Sequence, residues 1–238
     1  LILSAGFRET GAAGRRLENE VVSRARRHGM RLMGPNCLGI IRPDAGVNLT
    51  FGNSNASAGN LALVSQSGAI CTAILDWAEE NSIGFSAVVS TGIGADLDFG
   101  DYLDYLLTDP HTKAILLYIE GISDARSFMS GLRVAARLKP VIVVKSGRNE
   151  SGTRAAVSHT GALVGGDAVF DAAIERAGAV RVLTVSQLFA AAKTLASNTR
   201  VEGPRLAIVT NGGGPGVMAA DRASDLNVPL AELGQTTI

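Results

Sequence analysis

The sequence predicts an α/β protein whose main domain is a doubly wound parallel sheet. From Leu61 onward, strand-length apolar runs alternate with helical patterns in which apolar residues recur at i, i+3 and i+4. This alternation is typical of a parallel sheet covered by helices. Glycine accounts for 28 of the 238 residues and aromatic residues for 5%, which favours tight turns and close packing of small side chains. Five such strands fit the flavodoxin-like strand order 2-1-3-4-5.

The first segment, residues 1–50, precedes the strands of this sheet in the chain. Its helical pattern places Leu17, Val21 and Ala25 on one face, as in an amphipathic helix. A polar stretch that ends at Asn60 predicts a domain boundary. The expected elements are a strand over Leu1–Ser4, a helix over about 14–28, a short strand over Arg31–Met33 and the motif Gly-Pro-Asn-Cys-Leu-Gly at 34–39.

The second segment, residues 58–199, carries the five strands and the five helical stripes between and after them. A third segment, residues 204–238, begins a further α/β unit with a new strand over Leu206–Thr210. The helical stripes begin at Ile70, Phe99, Phe128, Phe170 and Leu188. The expected strands of the second segment are Leu61–Val64, Ser86–Ser90, Ala114–Ile119, Val141–Val144 and Ala179–Val182.

Charge and cysteine usage exclude several classes of function. Lys plus Arg and Asp plus Glu both number 22, so the formal net charge is zero, which argues against nucleic acid or an anionic membrane as the main partner. The apolar runs are far shorter than the about 20 residues of a membrane helix. Cys37, Cys71 and three scattered histidines form neither a disulfide framework nor a zinc pattern. We therefore expect no metal ligands and a reducing, cytoplasmic compartment.

The ends of the sequence predict that it is part of a longer protein. The chain starts without Met, inside a strand-like run, and stops shortly after a new α/β unit has begun.

The first strand of the sheet leads directly into a candidate anion site. In an open parallel sheet, ligands bind at the carboxyl ends of the strands, where the strand order reverses. Ser65, Gln66, Ser67 and Gly68 occupy that position, and a helix begins at once. Hydroxyl groups, free backbone N–H groups and the positive end of the helix are suited to phosphate. The alternative is a plain serine N-cap followed by a glycine for close packing.

Two further residues point to the same edge of the sheet. Glu120 follows the central strand Ala114–Ile119 directly, and a buried carboxylate at such a place needs a partner. Alternatively, Glu120 is an ordinary acid near a helix N-terminus. His159 lies in a loop of small residues after the next strand, and a histidine oriented by a carboxylate is a good base or nucleophile. Together with the anion site, these residues suggest a histidine that handles a phosphoryl group.

Four motifs in this order resemble the NDP-forming acyl-CoA synthetases. This family includes the succinyl-CoA synthetase alpha subunit and ADP-forming acetyl-CoA synthetase. The resemblance covers essentially the whole chain, and the motifs are specific as a set, although each one alone is weak. They are Ser-Gln-Ser-Gly-Ala at 65–69, Glu-Gly at 120–121, Lys-Ser-Gly-Arg at 145–148 and Ser-His-Thr-Gly-Ala at 158–162.

The resemblance implies roles for the candidate residues. His159 is similar to the family's phosphohistidine, and Glu120 would hold the second nitrogen of its imidazole. Ser65, Ser67 and Gly68 would receive phosphate at the helix start. Gln66 lies between the two serines and would touch the phosphate or the acyl group.

The resemblance also implies a domain assignment. Residues 1–50 would be the C-terminal remnant of a CoA-binding Rossmann-like domain, whose closing segment resembles 34–39 and provides Pro35, Asn36 and Cys37 as CoA-binding residues. Residues 58–199 would be the flavodoxin-like CoA-ligase domain with the phosphohistidine loop. Residues 204–238 would begin a second flavodoxin-like CoA-ligase domain, in which the glycine loop 210–216 is either an anion-binding nest or a simple turn.

The implied ligands are CoA or acyl-CoA, phosphate, and ATP or ADP with magnesium. The nucleotide and magnesium would bind to an ATP-grasp domain or beta subunit that this sequence lacks, so the chain alone should not complete the reaction. A homo-oligomer is also compatible with the resemblance.

Two other interpretations stay open. Residues 123–148 also look like bacterial proteins that fuse this module to a lysine acetyltransferase, where it would be an acyl-CoA-sensing regulatory module without turnover. A flavin-binding domain of the same fold is disfavoured, because the loops carry no aromatic pair to enclose the flavin ring.

Overall fold

The structure is a computed structural model that describes residues 1–53, 55–149, 166–197, 203–232 and 234. The chain divides into two compact units, Leu1–Ser197 and Asn198–Ile238. The first unit contains one sheet, whose strands in the described residues are β1 Gly39–Arg42, β2 Val47–Thr50, β3 Ala58–Ser65, β4 Phe85–Ser90, β5 Ala114–Ile119, β6 Val141–Lys145 and β7 Val180–Val182.

The strand order is β2-β1-β4-β3-β5-β6-β7. Five neighbouring strands of this sheet are parallel to one another, in the spatial order β4-β3-β5-β6-β7. Numbered along the chain, they have the order 2-1-3-4-5, so the flavodoxin-like fold predicted from the sequence is confirmed. The switch point lies between β3 and β5, where the strand order reverses.

Two antiparallel strands extend the sheet beyond the five that were predicted. β1 pairs with the outer edge of β4, with Ile40 opposite Val89 and Ile41 opposite Val88, and β2 pairs with β1. A tight turn joins β1 to β2 and ends at Gly46, whose φ of 66° is one that glycine readily adopts. The sequence interpretation treated this stretch as part of a polar boundary, because each strand is only four residues long.

The helices cover both faces of the sheet. Side-chain caps start several of them: Ser67, Asp98, Asp124 and Thr184 accept hydrogen bonds from backbone N–H groups in the first turns. The helices of the described residues are α1 Ala12–Arg27, α2 Gly68–Glu80, α3 Phe99–Thr108, α4 Ala125–Leu138, α5 Asp167–Ala177, α6 Val185–Ala196 and α7 Gly213–Asp225.

The core consists of two apolar layers, one on each face. Alternate residues of the central strands point to opposite faces, so that Leu117 packs with α3, α4 and α5 while Leu116 packs with α2 and α6. Both residues are fully buried. Strands that are covered on both faces are continuously apolar, and this burial holds their carboxyl ends in fixed positions relative to one another.

The N-terminal segment differs from its predicted elements. Leu1–Ser4 and Arg31–Met33 have no regular secondary structure and are not strands of the sheet. One backbone hydrogen bond joins them, from Ile2 N–H to Met33 O at 3.0 Å, and one bond is too little for a strand ladder. α1 begins at Ala12, slightly earlier than the apolar pattern predicts.

The second unit contains α7 and one isolated parallel bridge between Leu206 and Leu230. The predicted strand Leu206–Thr210 is therefore reduced to a single bridge residue in the described part of the chain. None of the helices in the described residues is long and apolar enough to cross a membrane.

Candidate functional site

A cavity of about 310 Å³ lies at the carboxyl edge of the sheet, beside the switch point between β3 and β5. Its walls come from the N-terminal loop, the segment after Gly34, the start of α2 and the loop after β5. Six of the residues predicted to bind or react line it: Asn36, Cys37, Gln66, Ser67, Gly68 and Glu120.

The start of α2 is shaped by the two serines. The Ser65 hydroxyl donates to Ser67 O at 2.9 Å and accepts from Ser67 N–H at 3.1 Å, and Ser65 is fully buried. The Ser67 hydroxyl accepts from Ile70 N–H at 3.3 Å and caps the helix. Ser65 thus forms the turn behind the cavity, whereas Ser67, Gly68 and Ala69 line it.

Gln66 contacts the loop after β5 and not only the helix start. Its Oε1 accepts from Glu120 N–H at 2.6 Å and from Gly121 N–H at 3.0 Å. Its Nε2 donates to Gly121 O at 2.8 Å. Three hydrogen bonds from one side-chain amide therefore hold the backbone on which Glu120 is placed.

Glu120 follows β5 and lines the cavity. The far end of its loop lies near Asp98, the N-cap of α3. Burial raises the pKa of the Asp98 carboxyl, while backbone N–H groups of Phe99, Ser123 and Asp124 oppose the rise. The loop that carries Glu120 is therefore supported at both ends, by Gln66 and by Asp98.

The segment around Asn36 is held against the loop after β4. Ile93 N–H donates to Pro35 O at 2.9 Å. A Cβ on Gly92 would overlap the carbonyl oxygens of Pro35 and Asn36, so this close approach requires glycine. Asn36 and Cys37 line the cavity, whereas Pro35 is buried behind them. Burial raises the pKa of the Cys37 thiol.

The sequence interpretation missed Arg8, which also lines the cavity. Its guanidinium forms an ion pair with the buried Glu18 at 2.6 Å. The signal in the sequence was a single cation in a short loop bounded by Gly6 and Gly11, which is too common a pattern to indicate a site.

His159 lies outside the described residues, and its role stays a prediction. β6 ends at Lys145, and α5 begins at Asp167. Because β6 and β7 are parallel and α5 connects them, the end of β6 and the start of α5 both lie at the carboxyl edge of the sheet. The described residues on either side of the segment that contains His159 therefore both lie at the edge where the cavity lies.

A second cavity of about 350 Å³ lies near the end of β6 and is lined mainly by apolar side chains. Its one charged lining residue in the described part of the chain is Lys145, whose ammonium lies 3.9 Å from Asp167 and 5.5 Å from the centre of the Phe170 ring. Burial lowers the pKa of Lys145, and Asp167 opposes this change. In the ranges that the structure covers, no three His, Cys, Asp or Glu residues are grouped to hold a metal ion.

Comparison with known proteins gives a consistent result. Residues 58–195 match the family described as succinyl-CoA ligase like flavodoxin domain. Over all 238 residues, the chain is 45% identical to ADP-forming acetate–CoA ligase I of Archaeoglobus fulgidus and covers 34% of that protein. It is 44% identical, over 96% of its length, to the alpha subunit of ADP-forming acetate–CoA ligase I of Pyrococcus furiosus and covers 50% of that subunit.

A solved structure is similar over the same range. It is the dinucleotide forming acetyl-coenzyme A synthetase 1 of Ca. Korarchaeum cryptofilum in complex with phosphate and ADP. The TM-score is 0.92 at 39% identity, with 98% of this chain and 50% of the other chain covered. This chain thus spans between about a third and a half of the length of these relatives.

Proposed function

This chain belongs to the succinyl-CoA ligase like flavodoxin domain family, and on that premise we propose that it is part of an ADP-forming acyl-CoA synthetase. The enzyme interconverts acyl-CoA, phosphate and ADP with the carboxylic acid, CoA and ATP, and its substrate is acetate or another short acyl group. The observation that carries the proposal is one cavity lined by the start of α2, by Glu120 and by Asn36 and Cys37.

The first step joins phosphate to the acyl group. A phosphate oxygen attacks the thioester carbonyl carbon, the C–S bond breaks, and CoA leaves as the thiol to give an acyl phosphate. Phosphate binds beside Ser67, Gly68 and Ala69, because the first backbone N–H groups and the positive end of α2 stabilise its charge. CoA binds on the side of Asn36 and Cys37, with Pro35 supporting that segment from behind.

The second step transfers the phosphoryl group to His159. An imidazole nitrogen attacks phosphorus, the bond between phosphorus and the acyl oxygen breaks, and the carboxylate leaves. Glu120 accepts a hydrogen bond from the other ring nitrogen, which orients the ring and stabilises its positive charge. ADP then takes the phosphoryl group from the histidine, and the N–P bond breaks as ATP forms. Gln66 and Ser65 position these groups through the backbone.

The nucleotide belongs to another part of the enzyme in this proposal. ADP and its magnesium ion bind to an ATP-grasp domain or a beta subunit, and the magnesium screens the charge between the phosphates. The Pyrococcus furiosus relative is an alpha subunit, which supports a partner subunit, and a homo-oligomer is compatible with this arrangement. The two free cysteines are buried and suit the reducing cytoplasm in which we expect the enzyme to act.

The domain assignment is part of the same proposal. Residues 1–50 complete a CoA-binding Rossmann-like domain, residues 58–199 carry the phosphohistidine loop, and residues 204–238 begin a second CoA-ligase domain. The relatives described above are named as ligases and a synthetase, so the comparisons favour the synthetase over a regulatory module of a lysine acetyltransferase.

The proposal is tested by labelling the histidine. The intact protein is incubated with γ-labelled ATP and magnesium, and separately with acetyl phosphate carrying labelled phosphorus. We expect one labelled residue, His159, with a label that acid removes and base does not. His159→Asn should abolish the label, whereas His111→Asn should keep it, because His111 lies in an exposed turn near Asp44. Folded wild-type protein without any label would contradict the proposal.

A further inference from the structure

The cavity contains a cation that none of the proposed steps uses. Of the described residues that line the cavity, only Arg8 and Glu120 are charged. Among the residues that the structure describes, Arg8 is thus the single positive side chain there, in a chain whose formal net charge is zero. The attraction between two charges falls off with distance and is screened by salt. A nearby cation therefore affects where an anion binds more than the net charge of the chain does.

Arg8 is held in place by one buried carboxylate. Glu18, on α1, is 4% exposed. Its Oε1 accepts from Arg8 Nε at 2.8 Å and lies 2.6 Å from Nη2. Its Oε2 accepts from the backbone N–H of Arg8 at 3.3 Å. Glu18 therefore fixes both the main chain and the side chain of Arg8.

The loop that carries Arg8 is rigid for independent reasons. The Glu9 carboxylate accepts from Gly6 N–H at 2.6 Å, and the Thr10 hydroxyl donates to Phe7 O at 2.8 Å. Gly14 lets α1 approach so closely that a Cβ there would overlap the Phe7 carbonyl. The position of the guanidinium is therefore set before a ligand arrives, which lowers the entropy lost on binding.

The guanidinium keeps donors for a ligand. Nε and Nη2 are used by Glu18, whereas Nη1 makes no hydrogen bond to the described residues. A buried ion pair is weak evidence for a stabilising role, because desolvation of the two charges offsets their attraction. Because Arg8 lines the cavity and Glu18 lies behind it, the pair is suited to holding a cation for a ligand.

We propose that Arg8 binds a phosphoryl group of the substrate through Nη1, and that Glu18 is the positioning residue for Arg8. A planar guanidinium with fixed donors recognises phosphate better than a flexible ammonium does. The phosphoryl group belongs either to inorganic phosphate and the acyl phosphate or to CoA. This inference rests on the proposed function and adds a binding residue from the N-terminal loop to the same cavity.

The test separates the two sources of the phosphoryl group. In the intact enzyme, Arg8→Met keeps most of the apolar stem and removes the charge. We expect the KM for inorganic phosphate, or alternatively the KM for CoA, to rise about 10- to 100-fold, the range of a charge-assisted hydrogen bond. The substrate whose KM rises identifies the source. Titration calorimetry with inorganic phosphate and with CoA measures the same losses in the absence of turnover.

Three further variants address position and folding. Glu18→Gln keeps an acceptor for Arg8 but removes the charge, so we expect a smaller rise in the same KM with kcat nearly unchanged. Arg24→Ala is the matched control, because Arg24 pairs with Glu20 on the exposed side of the same helix. Circular dichroism and Tm establish that each variant is folded. If Arg8→Met does not fold, Arg8→Lys provides the same comparison, with a smaller rise in KM expected.

The outcomes distinguish this inference from the proposed function. The inference about Arg8 would be overturned by variants at Arg8 that are folded and active and that keep the wild-type KM and Kd for both phosphate and CoA. Wild-type enzyme that forms no ATP from phosphate, ADP and either acetyl-CoA or another short acyl-CoA would instead overturn the proposed function. In that case, calorimetry with inorganic phosphate and CoA would still decide whether Arg8 binds a phosphoryl group.

Discussion

Gln66 shows how a single side chain connects the two halves of the candidate site. It lies between the serines at the start of α2, yet its amide is used on the backbone of Glu120 and Gly121. A side-chain amide offers both an acceptor and donors, and here both are used. Gln66 thereby couples the backbone position of Glu120 to the position of the helix start.

Replacing Gln66 should therefore affect catalysis through Glu120. We expect Gln66→Ala to lower kcat for ATP formation about 10- to 100-fold and the free energy of unfolding by about 1–3 kcal/mol, because two backbone N–H groups and a carbonyl lose their partner. Steady-state kinetics and urea unfolding measure the two effects. Gln187→Ala is the control, since Gln187 accepts from Leu183 N–H in an exposed turn. A Gln66→Ala enzyme with wild-type kcat would show that Glu120 needs no such support.

At the scale of elements, the start of α2 is the proposed anion site. The capping hydroxyl of Ser67 orders the first turn, and the backbone of Gly68 and Ala69 lines the cavity beside it. Gly68 also lets the helix approach Leu38, whose Cβ would lie 3.3 Å from an added Cβ. The helix, the sheet end and the segment after Gly34 are thus assembled around the same space.

The cap of α2 should have a kinetic effect that an ordinary cap lacks. We expect Ser67→Ala to lower the free energy of unfolding by about 1 kcal/mol and also to raise the KM for phosphate several-fold, because a frayed first turn misorients the N–H groups. Thr184→Ala removes the corresponding cap of α6, where Thr184 accepts from Gln187 N–H. Thermal unfolding should show similar losses for both variants. Equal KM values for phosphate in the two variants would argue against an anion site at α2.

At the scale of the whole first unit, Asp96 connects the N-terminal segment to the sheet domain. Its side chain is fully buried and accepts from Arg26, from Arg31 and from Leu32 N–H, at 2.7–3.0 Å. Burial raises the pKa of Asp96, but the Leu32 N–H group and the two arginines outweigh burial and lower it overall. Because Leu1–Ser197 forms one compact unit, this contact contributes to the position of Arg8 and Asn36 relative to α2.

The contribution of Asp96 should depend on pH. A carboxyl whose pKa is lower in the folded state stabilises the protein fully above its unfolded pKa of about 3.9, and this stabilisation is lost as the pH falls through the folded value. We expect Asp96→Asn to lower the free energy of unfolding by about 2 kcal/mol at pH 7. The effect is no larger because Arg26 and Arg31 are partly exposed, so that solvent screens their attraction to Asp96. The difference from wild type should shrink in urea unfolding below about pH 4. A difference that is the same at pH 7 and pH 3 would contradict the assigned ion pairs.

Much of the fold was predictable because its signals are local. Apolar runs of strand length and stripes at helical spacing follow directly from which faces are buried, so the five parallel strands and their order were found. The hairpin of β1 and β2 was not, because four-residue strands in a polar stretch give a weak periodic signal. Likewise, Leu1–Ser4 has the composition of a strand, but strand formation needs a partner ladder that the apolar pattern does not reveal.

The candidate site was predictable in outline. Ser67, Gly68 and Glu120 stand at strand ends that the parallel topology brings to one edge, and all three line one cavity. Gln66 lines the same cavity and stays a predicted contact of phosphate or the acyl group; the sequence did not reveal that its amide also binds the loop after β5. His159 stays a prediction, supported by the motif and by the edge at which its segment begins and ends.

By itself, the sequence determined the alternation of strands and helices, the order of the parallel strands and the sheet edge at which the candidate residues lie. These features depend on side chains close together in the chain, whose periodicity and hydrogen-bonding chemistry can be read directly. Only the tertiary structure decided that Gln66 clamps Glu120, that Asp96 holds the N-terminal segment and that Arg8 enters the cavity wall. Such contacts join residues distant in sequence, and they form because burial of the two apolar layers brings otherwise independent segments within hydrogen-bonding distance.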